Sequence, residues 1–395
     1  MTIINVFERF AVYLFIFSLN FERINLFNLG TDYLATKISV ILLLSISCFN
    51  YKTNYNLRKH SYLFYPLIIY FIFFTYKNYV NITANFKEYF DIPIFLNFLI
   101  FIVLTNIFTK NPRISTNGLF VLVLCTSLLS LAFLSGVGLS YLEDRVSIFN
   151  INQNLLGFTT CISLFVLIAF ILEKKIKKIF LILVPFLLYL LISTGSRVSF
   201  IALILGIIFF IFSNNIYSFK RKIFIIFFCL IVVVFSYSFL ENSITAQRIL
   251  QTIYTGDLGG RDFLWTIIYE IFINDILTGI GKTGYQYFTD NLISNNIQGK
   301  LISSDSFSPH NVIIEIIAYT GIIGLFIFSS FLIRIYKIGF KKFKINNEVL
   351  PLLLLIPISG LILSGQILDQ KIVWLLLAYI AANSIIFYKN SFNKR

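Results

Sequence analysis

Ser308-Pro309-His310-Asn311 runs into an apolar stretch that carries Glu315, Gly321 and Gly324. His310 is one of two histidines in the chain. An imidazole takes or gives a proton near neutrality, so His310 can act as a general base or as a hydrogen-bond donor to an anion. At about 100° per residue, the step from His310 to Gly321 leaves about 20° of helical offset, and the step to Gly324 about −40°. That arithmetic predicts one helix face bearing His310 and both glycines, with the glycines admitting a close neighbour. Asn311 and Glu315 are four apart and share a face. Glu315 falls about 6–8 Å along the helix from its outer end, and an acid at that depth is either paired or protonated.

Three further groupings could do chemistry. In Thr194-Gly195-Ser196-Arg197, between two apolar runs, Arg197 is costly unless it faces a polar cavity or an anion, and so tight a connection gives it little freedom to snorkel to headgroups. A guanidinium keeps its charge and holds phosphate oxygens bidentately. Arg261 and Trp265 are four apart, on one helix face, ahead of Asn274-Asp275-Ile276-Leu277-Thr278-Gly279-Ile280-Gly281. They fit contact with a sugar or headgroup, or a membrane-interface tryptophan beside a solvated arginine. Glu143-Asp144-Arg145 precedes Asn152-Gln153-Asn154; amides and carboxylates suit sugar hydroxyls, and they also cap helices. Outward-facing acids show no Asp-x-Asp pattern, so this chemistry requires no metal and no cofactor.

These residues need a scaffold, and composition says which. The chain has 395 residues, 58% of them hydrophobic, 46 Phe, and a mean hydropathy of +0.85. Such values exclude a soluble globule and a disordered chain and indicate a polytopic membrane protein. Twelve apolar runs of near-spanning length fall at 5–21, 33–49, 62–79, 92–108, 118–134, 154–172, 179–193, 198–212, 223–240, 311–336, 350–368 and 373–388. The first is followed by no small-residue cleavage site and reads as a span. The expected fold is one all-α integral membrane domain over residues 1–395, with a large extracytoplasmic loop, 241–309, between helices 9 and 10. That loop contains a helix-like segment, 262–273, and a glycine-rich turn at Gly279, Gly281 and Gly284.

With both termini cytoplasmic, 21 of the 32 Lys and Arg residues fall on the cytoplasmic side. The net charge of +14 is then mostly topological; it favours anionic inner-leaflet lipid and calls for no nucleic acid. Cys48, Cys125, Cys161 and Cys229 all lie in apolar runs, with no metal-ligand spacing, and read as free buried thiols.

At these residues the sequence resembles the O-antigen polymerase and O-antigen ligase superfamily. His310-Asn311, nine residues, then Gly321-x-x-Gly324 is similar to that family's His-Asn/Ser/Gln-x9-Gly-x-x-Gly pattern. Gly260-Arg261 with Trp265 and Leu277-Thr278-Gly279-Ile280-Gly281 resembles its Arg…Trp…Pro-Leu-x-Gly-x-Gly segment, with Asp275-Ile276 where a proline is common. Gly195-Ser196-Arg197 and Arg145…Asn154-Leu155-Leu156-Gly157 resemble two more of its elements.

The resemblance implies a substrate, glycan on undecaprenyl diphosphate, and its transfer to a sugar hydroxyl. Under it, Arg197 and Arg261 bind the diphosphate and His310 is a base or a further phosphate ligand. Arg145, Asn154, Trp265, Asn311 and Glu315 shape the site. The Gly260–Phe288 segment and the Ser-Pro-His-Asn entry look most like repeat-unit polymerases. A ligase acting on lipid A core is the alternative within the family, and a lipid-linked glycan flippase the alternative outside it. Also implied are a bacterial cytoplasmic (inner) membrane location with the site facing the periplasm, membrane lipid as surroundings, and a polysaccharide chain-length regulator as candidate protein partner.

Overall fold

The computed structural model describes residues 3–22, 34–49, 57–81, 90–142, 145–213, 244–255, 275–296, 309–346, 348–365 and 367–382, with the single positions 223 and 269. Thirteen α-helices run through these residues: α1 (Ile3–Leu19), α2 (Leu34–Phe49), α3 (Leu57–Asn81), α4 (Ile92–Lys110), α5 (Pro112–Ser135), α6 (Gln153–Leu172), α7 (Leu183–Ser193), α8 (Arg197–Ser213), α9 (Ile244–Thr255), α10 (Gly281–Asn296), α11 (Val312–Asn346), α12 (Leu350–Ser364) and α13 (Lys371–Ala382). Among the described residues, five stretches are long and apolar enough to cross a membrane: His60–Val80 of α3, α4, α5, α6 and Val312–Ile345 of α11. Five shorter apolar helices accompany them. The expected span 179–193 divides into a 3-10 segment, Lys178–Ile182, and α7. The expected span 223–240 lies outside the described residues apart from Ile223, as does the expected segment 262–273 apart from Tyr269.

The helices bury apolar faces on one another, and α13 is enclosed: Ile372 to Ala382 are all buried. Its Trp374 packs edge-on to Phe98 and Phe101 of α4 and stacks on Phe331 of α11. The indole N–H, which cannot be left unpaired there, donates to Leu368 O at 3.0 Å. The second histidine, His60, is buried in α3 with its Nε2 3.2 Å from Thr109 Oγ1, on the opposite end of α4 from Asp91. Cys125 and Cys161 are buried as expected; Cys48 is exposed on α2, because its helix turns that position away from the core.

Of the expected glycine-rich turn, Gly281 opens α10 and Gly284 lies inside it, and two further local features depart from the expectation. The connection before α6 holds an antiparallel hairpin, β1 (Leu139–Leu142) on β2 (Arg145–Ile148), with Leu139 opposite Ile148 and Leu142 opposite Arg145. Val146 and Ile148 face inward onto Leu129, Leu156 and Leu190, which gives the hairpin a buried side and fixes its register. The second departure is in α11, which is not one straight helix. Gly321 has φ 65° and ψ −168°, a region open essentially to glycine alone. The break frees backbone groups that membrane cannot satisfy. The segment 276–280 fills it: Ile322 N donates to Ile276 O at 2.9 Å, Ile323 N to Leu277 O at 3.2 Å, and Ile280 N to Ala318 O at 2.9 Å.

Candidate functional site

Arg197 opens α8, directly after a turn that Gly195 makes with φ 65°. Thr194 Oγ1 accepts from Ser196 N at 3.3 Å, and Ser196 Oγ lies 2.9 Å from Ser199 Oγ, so the turn is tied at both ends. It also fits closely against α6. A β-carbon on Gly157 would lie 2.6 Å from Ser196 Cβ. On the other side, a β-carbon on Gly360 of α12 would lie 2.8 Å from Val198 Cγ1. Asn154-Leu155-Leu156-Gly157 and Gly195-Ser196-Arg197, separate in sequence, are therefore one packed unit.

A cleft of about 220 Å³ opens beside that unit. Its walls are Asn154 and Phe158 of α6, Gly195 to Ser199 and Ile201, Arg248 and Thr252 of α9, and Pro357, Leu361 and Ser364 of α12. Arg197 Nη1 donates to Arg248 O at 3.3 Å and also to Thr252 Oγ1. Two arginines and several hydroxyl-bearing residues line the cleft, and no acidic residue does among the described residues. The first turns of α6 and α8 contribute Asn154 and Arg197 to the walls, which puts the positive ends of two helix dipoles at the cleft. Asn152 caps α6 through Asn154 N at 2.9 Å. A site so built favours an anion.

His310 and Asn311 are not among the lining residues. Asn311 is the N-cap of α11, accepting from Ile313 N at 3.0 Å and Ile314 N at 3.3 Å. Its Nδ2 donates to Leu363 O at 3.3 Å, one residue from Ser364 in the cleft wall. Asn311 is thus spent on fastening the start of α11 to the end of α12. His310, just before it, has φ 48° and lies outside the helix. The break at Gly321 and this left-handed entry undo the single-face arithmetic that joined His310 to Gly321 and Gly324. The glycine pair does admit a close neighbour, at Gly321, where a β-carbon would lie 2.2 Å from Leu277 O. At Gly324 the near atom is Thr320 Oγ1 of the same helix.

Glu315 lies apart from the cleft. It is buried and interacts with Asp369, Lys282 and Asp91, and its Oε2 has no hydrogen-bond partner. Lys282 Nζ donates to Asp91 Oδ2 at 2.6 Å, Lys282 N to Asn78 Oδ1 at 2.7 Å, and Lys77 Nζ to Thr278 Oγ1 at 3.1 Å. This network pins the start of α10 to the ends of α3 and α4. Burial acts to lower the Lys282 pKa, but Asp369 and Asp91 act the other way and prevail, holding the ammonium protonated well beyond its ordinary range. Burial, followed by the nearby Asp91, pushes Asp369 up from its ordinary value against the pull of Lys282 and Lys371.

Arg261, Trp265, Glu143 and Asp144 lie outside the described residues, and so does the side chain of Arg145, whose backbone sits beside the hairpin turn. Arg248 was missed by the sequence reading. Its signal was present in Gln247-Arg248…Gln251-Thr252, a polar stripe at helical spacing next to the apolar Ile249, Leu250 and Ile253.

Comparison with known proteins bears on the same elements. No curated protein matches the chain. Residues 179–329 match the family model described as O-antigen ligase, a stretch that holds the Arg197 turn, α9, the 276–280 segment and His310 through Gly324. Over those residues the chain is similar to the O-antigen ligase family, which supports the O-antigen ligase/polymerase resemblance seen in the sequence.

Proposed function

We propose that this membrane protein is a repeat-unit polymerase. It transfers the glycan of an undecaprenyl-diphosphate-linked unit to a sugar hydroxyl of a second lipid-linked unit, at the outer face of the bacterial cytoplasmic membrane. The observation that carries the reading is the cleft: Arg197 and Arg248, two helix N-termini and, among the described residues, no acidic side chain in the lining. The bond that breaks joins the sugar anomeric carbon to a diphosphate oxygen, and the electron pair leaves on the diphosphate. Fixed guanidinium groups stabilise that charge as it develops. The acceptor hydroxyl oxygen forms the new bond and gives up its proton, with His310 as the base in reach of the α11–α12 junction or as a further donor to the leaving group. Arg261 joins the diphosphate ligands in this proposal. Trp265, Arg145 and Asn154 contact the glycan, while Asn311 and Glu315 hold the frame.

The ligase reading uses the same residues and differs in acceptor. A transporter would use a discontinuous helix to line a substrate path. Here the discontinuity in α11 is filled by the chain's own backbone, which favours transfer chemistry over transport. The test is purified protein in lipid nanodiscs given lipid-linked repeat units, with and without lipid A core. A ladder of multiples without core supports the polymerase. Products only when core is present support the ligase and overturn the polymerase.

A further inference from the structure

Helix α9 has two unlike sides. At about 100° per residue, Gln247, Arg248, Gln251, Thr252 and Thr255 occupy one arc, and Ala246, Ile249, Leu250, Ile253 and Tyr254 the other. The polar arc closes the cleft, since Arg248 and Thr252 line it and Arg197 bonds to both. The apolar arc is open: Leu250 is 47% exposed, Ile253 70% and Tyr254 81%. The helix packs on α7 and α8. On those two helices Tyr189 and Leu205 are also exposed, and they lie within about two turns of the cleft turn. The open side of α9 therefore adds to the exposed apolar side chains of α7 and α8, two of the shorter apolar helices. A helix with a cationic polar face and a large apolar face lies in the plane of a membrane interface.

We propose that α9 is an interfacial helix that rests its Ile253–Tyr254 side in the bilayer and thereby holds Arg248 over the cleft as a second ligand for the donor's diphosphate. The occupant of the apolar side is phospholipid. The diphosphate half rests on the proposed function; the bilayer half does not. An amphipathic ligand has its anion at headgroup depth and its tail in hydrocarbon, which is the order in which α9 presents Arg248 and Tyr254.

The experiment has two arms. A benzophenone amino acid replaces Ile253, Tyr254 or Gln251 in otherwise unaltered protein in phosphatidylethanolamine/phosphatidylglycerol vesicles without donor, and adducts are read by mass after illumination. Phospholipid adducts are expected at 253 and 254 and not at 251. Equal adducts at all three positions, none at 253 and 254, or adducts at these two only after lipid-linked donor is added would overturn the bilayer placement. In the second arm, Arg248→Ala is expected to lower kcat/KM for lipid-linked donor at least about tenfold, chiefly through KM, with Arg248→Lys recovering part. Wild-type turnover in Arg248→Ala beside an impaired Arg197→Lys overturns the second-ligand claim alone. A silent Arg197→Lys with adducts intact overturns the diphosphate reading and leaves the helix placement standing.

Discussion

Single residues divide here into those that face the cleft and those that hold the frame. Arg197 faces it, while Asn311 and Glu315 are committed elsewhere, to the α11 cap and to the Lys282 network. His310 stands between: it is in no helix, it is half-buried, and its backbone is held at φ 48° by the cap that follows. Its two roles separate by substitution. If it is a base, His310→Gln and His310→Ala both lose about 10²–10⁴-fold in polymer formation, since neither side chain takes the proton. If it donates to the diphosphate, His310→Gln keeps much of the activity while His310→Ala loses it. Lys282 belongs to the frame. Its pKa is raised over the ordinary 10.5, so the stability it contributes is complete below that value and is lost only as pH rises past it. Lys282→Met strands Asp91 and should cost about 3 kcal/mol, read as a lower thermal midpoint in detergent at neutral pH; an unchanged midpoint would remove Lys282 from the frame.

Among elements, the finding is that the sequence motifs dock in pairs. Asn154–Gly157 meets Gly195–Arg197, and the 276–280 segment enters the break at Gly321. Spacing showed that His310, Gly321 and Gly324 recur at helical intervals, but periodicity assumes helical dihedrals throughout and cannot reveal one glycine that abandons them. The sequence did contain both halves of the contact: Gly279 and Gly321 face each other, and a β-carbon on Gly279 would lie 2.6 Å from Gly321 N. Nothing in one sequence couples two such positions. Gly321→Ala should therefore lose assembly, because the near atoms are backbone and the dihedrals exclude alanine. Its folded yield should drop severalfold in size-exclusion profiles. Gly324→Ala, which meets only the Thr320 side chain, should be milder, and equal yields would contradict the docking account.

For the whole molecule, hydropathy was the strongest signal. Among the described residues the long apolar stretches are helices, the form that satisfies its backbone internally in lipid. What hydropathy passed over were elements too short or too polar for it: the β1–β2 hairpin and α9, twelve residues with a mixed face. The second of these supplies Arg248. Topology is a property at this scale and is tested by reporter fusions. Fusions after Lys178 or Lys344 should report cytoplasm, and fusions in 241–309 the exterior. A reversed pattern would deny the cleft access to externally presented donor.

The most direct test of the central claim, that the cleft grips a diphosphate, is single-turnover transfer from a defined lipid-linked donor by purified Arg197→Lys protein. Lysine keeps the charge and removes the fork that holds two oxygens at once. A charge-assisted bidentate contact implies at least about a tenfold slower transfer in the variant, since tenfold corresponds to about 1.4 kcal/mol and such bonds contribute about 1.5–3 kcal/mol. Transfer at the wild-type rate with lysine in place would contradict the claim and leave Arg197 as no more than a positive charge at the membrane surface.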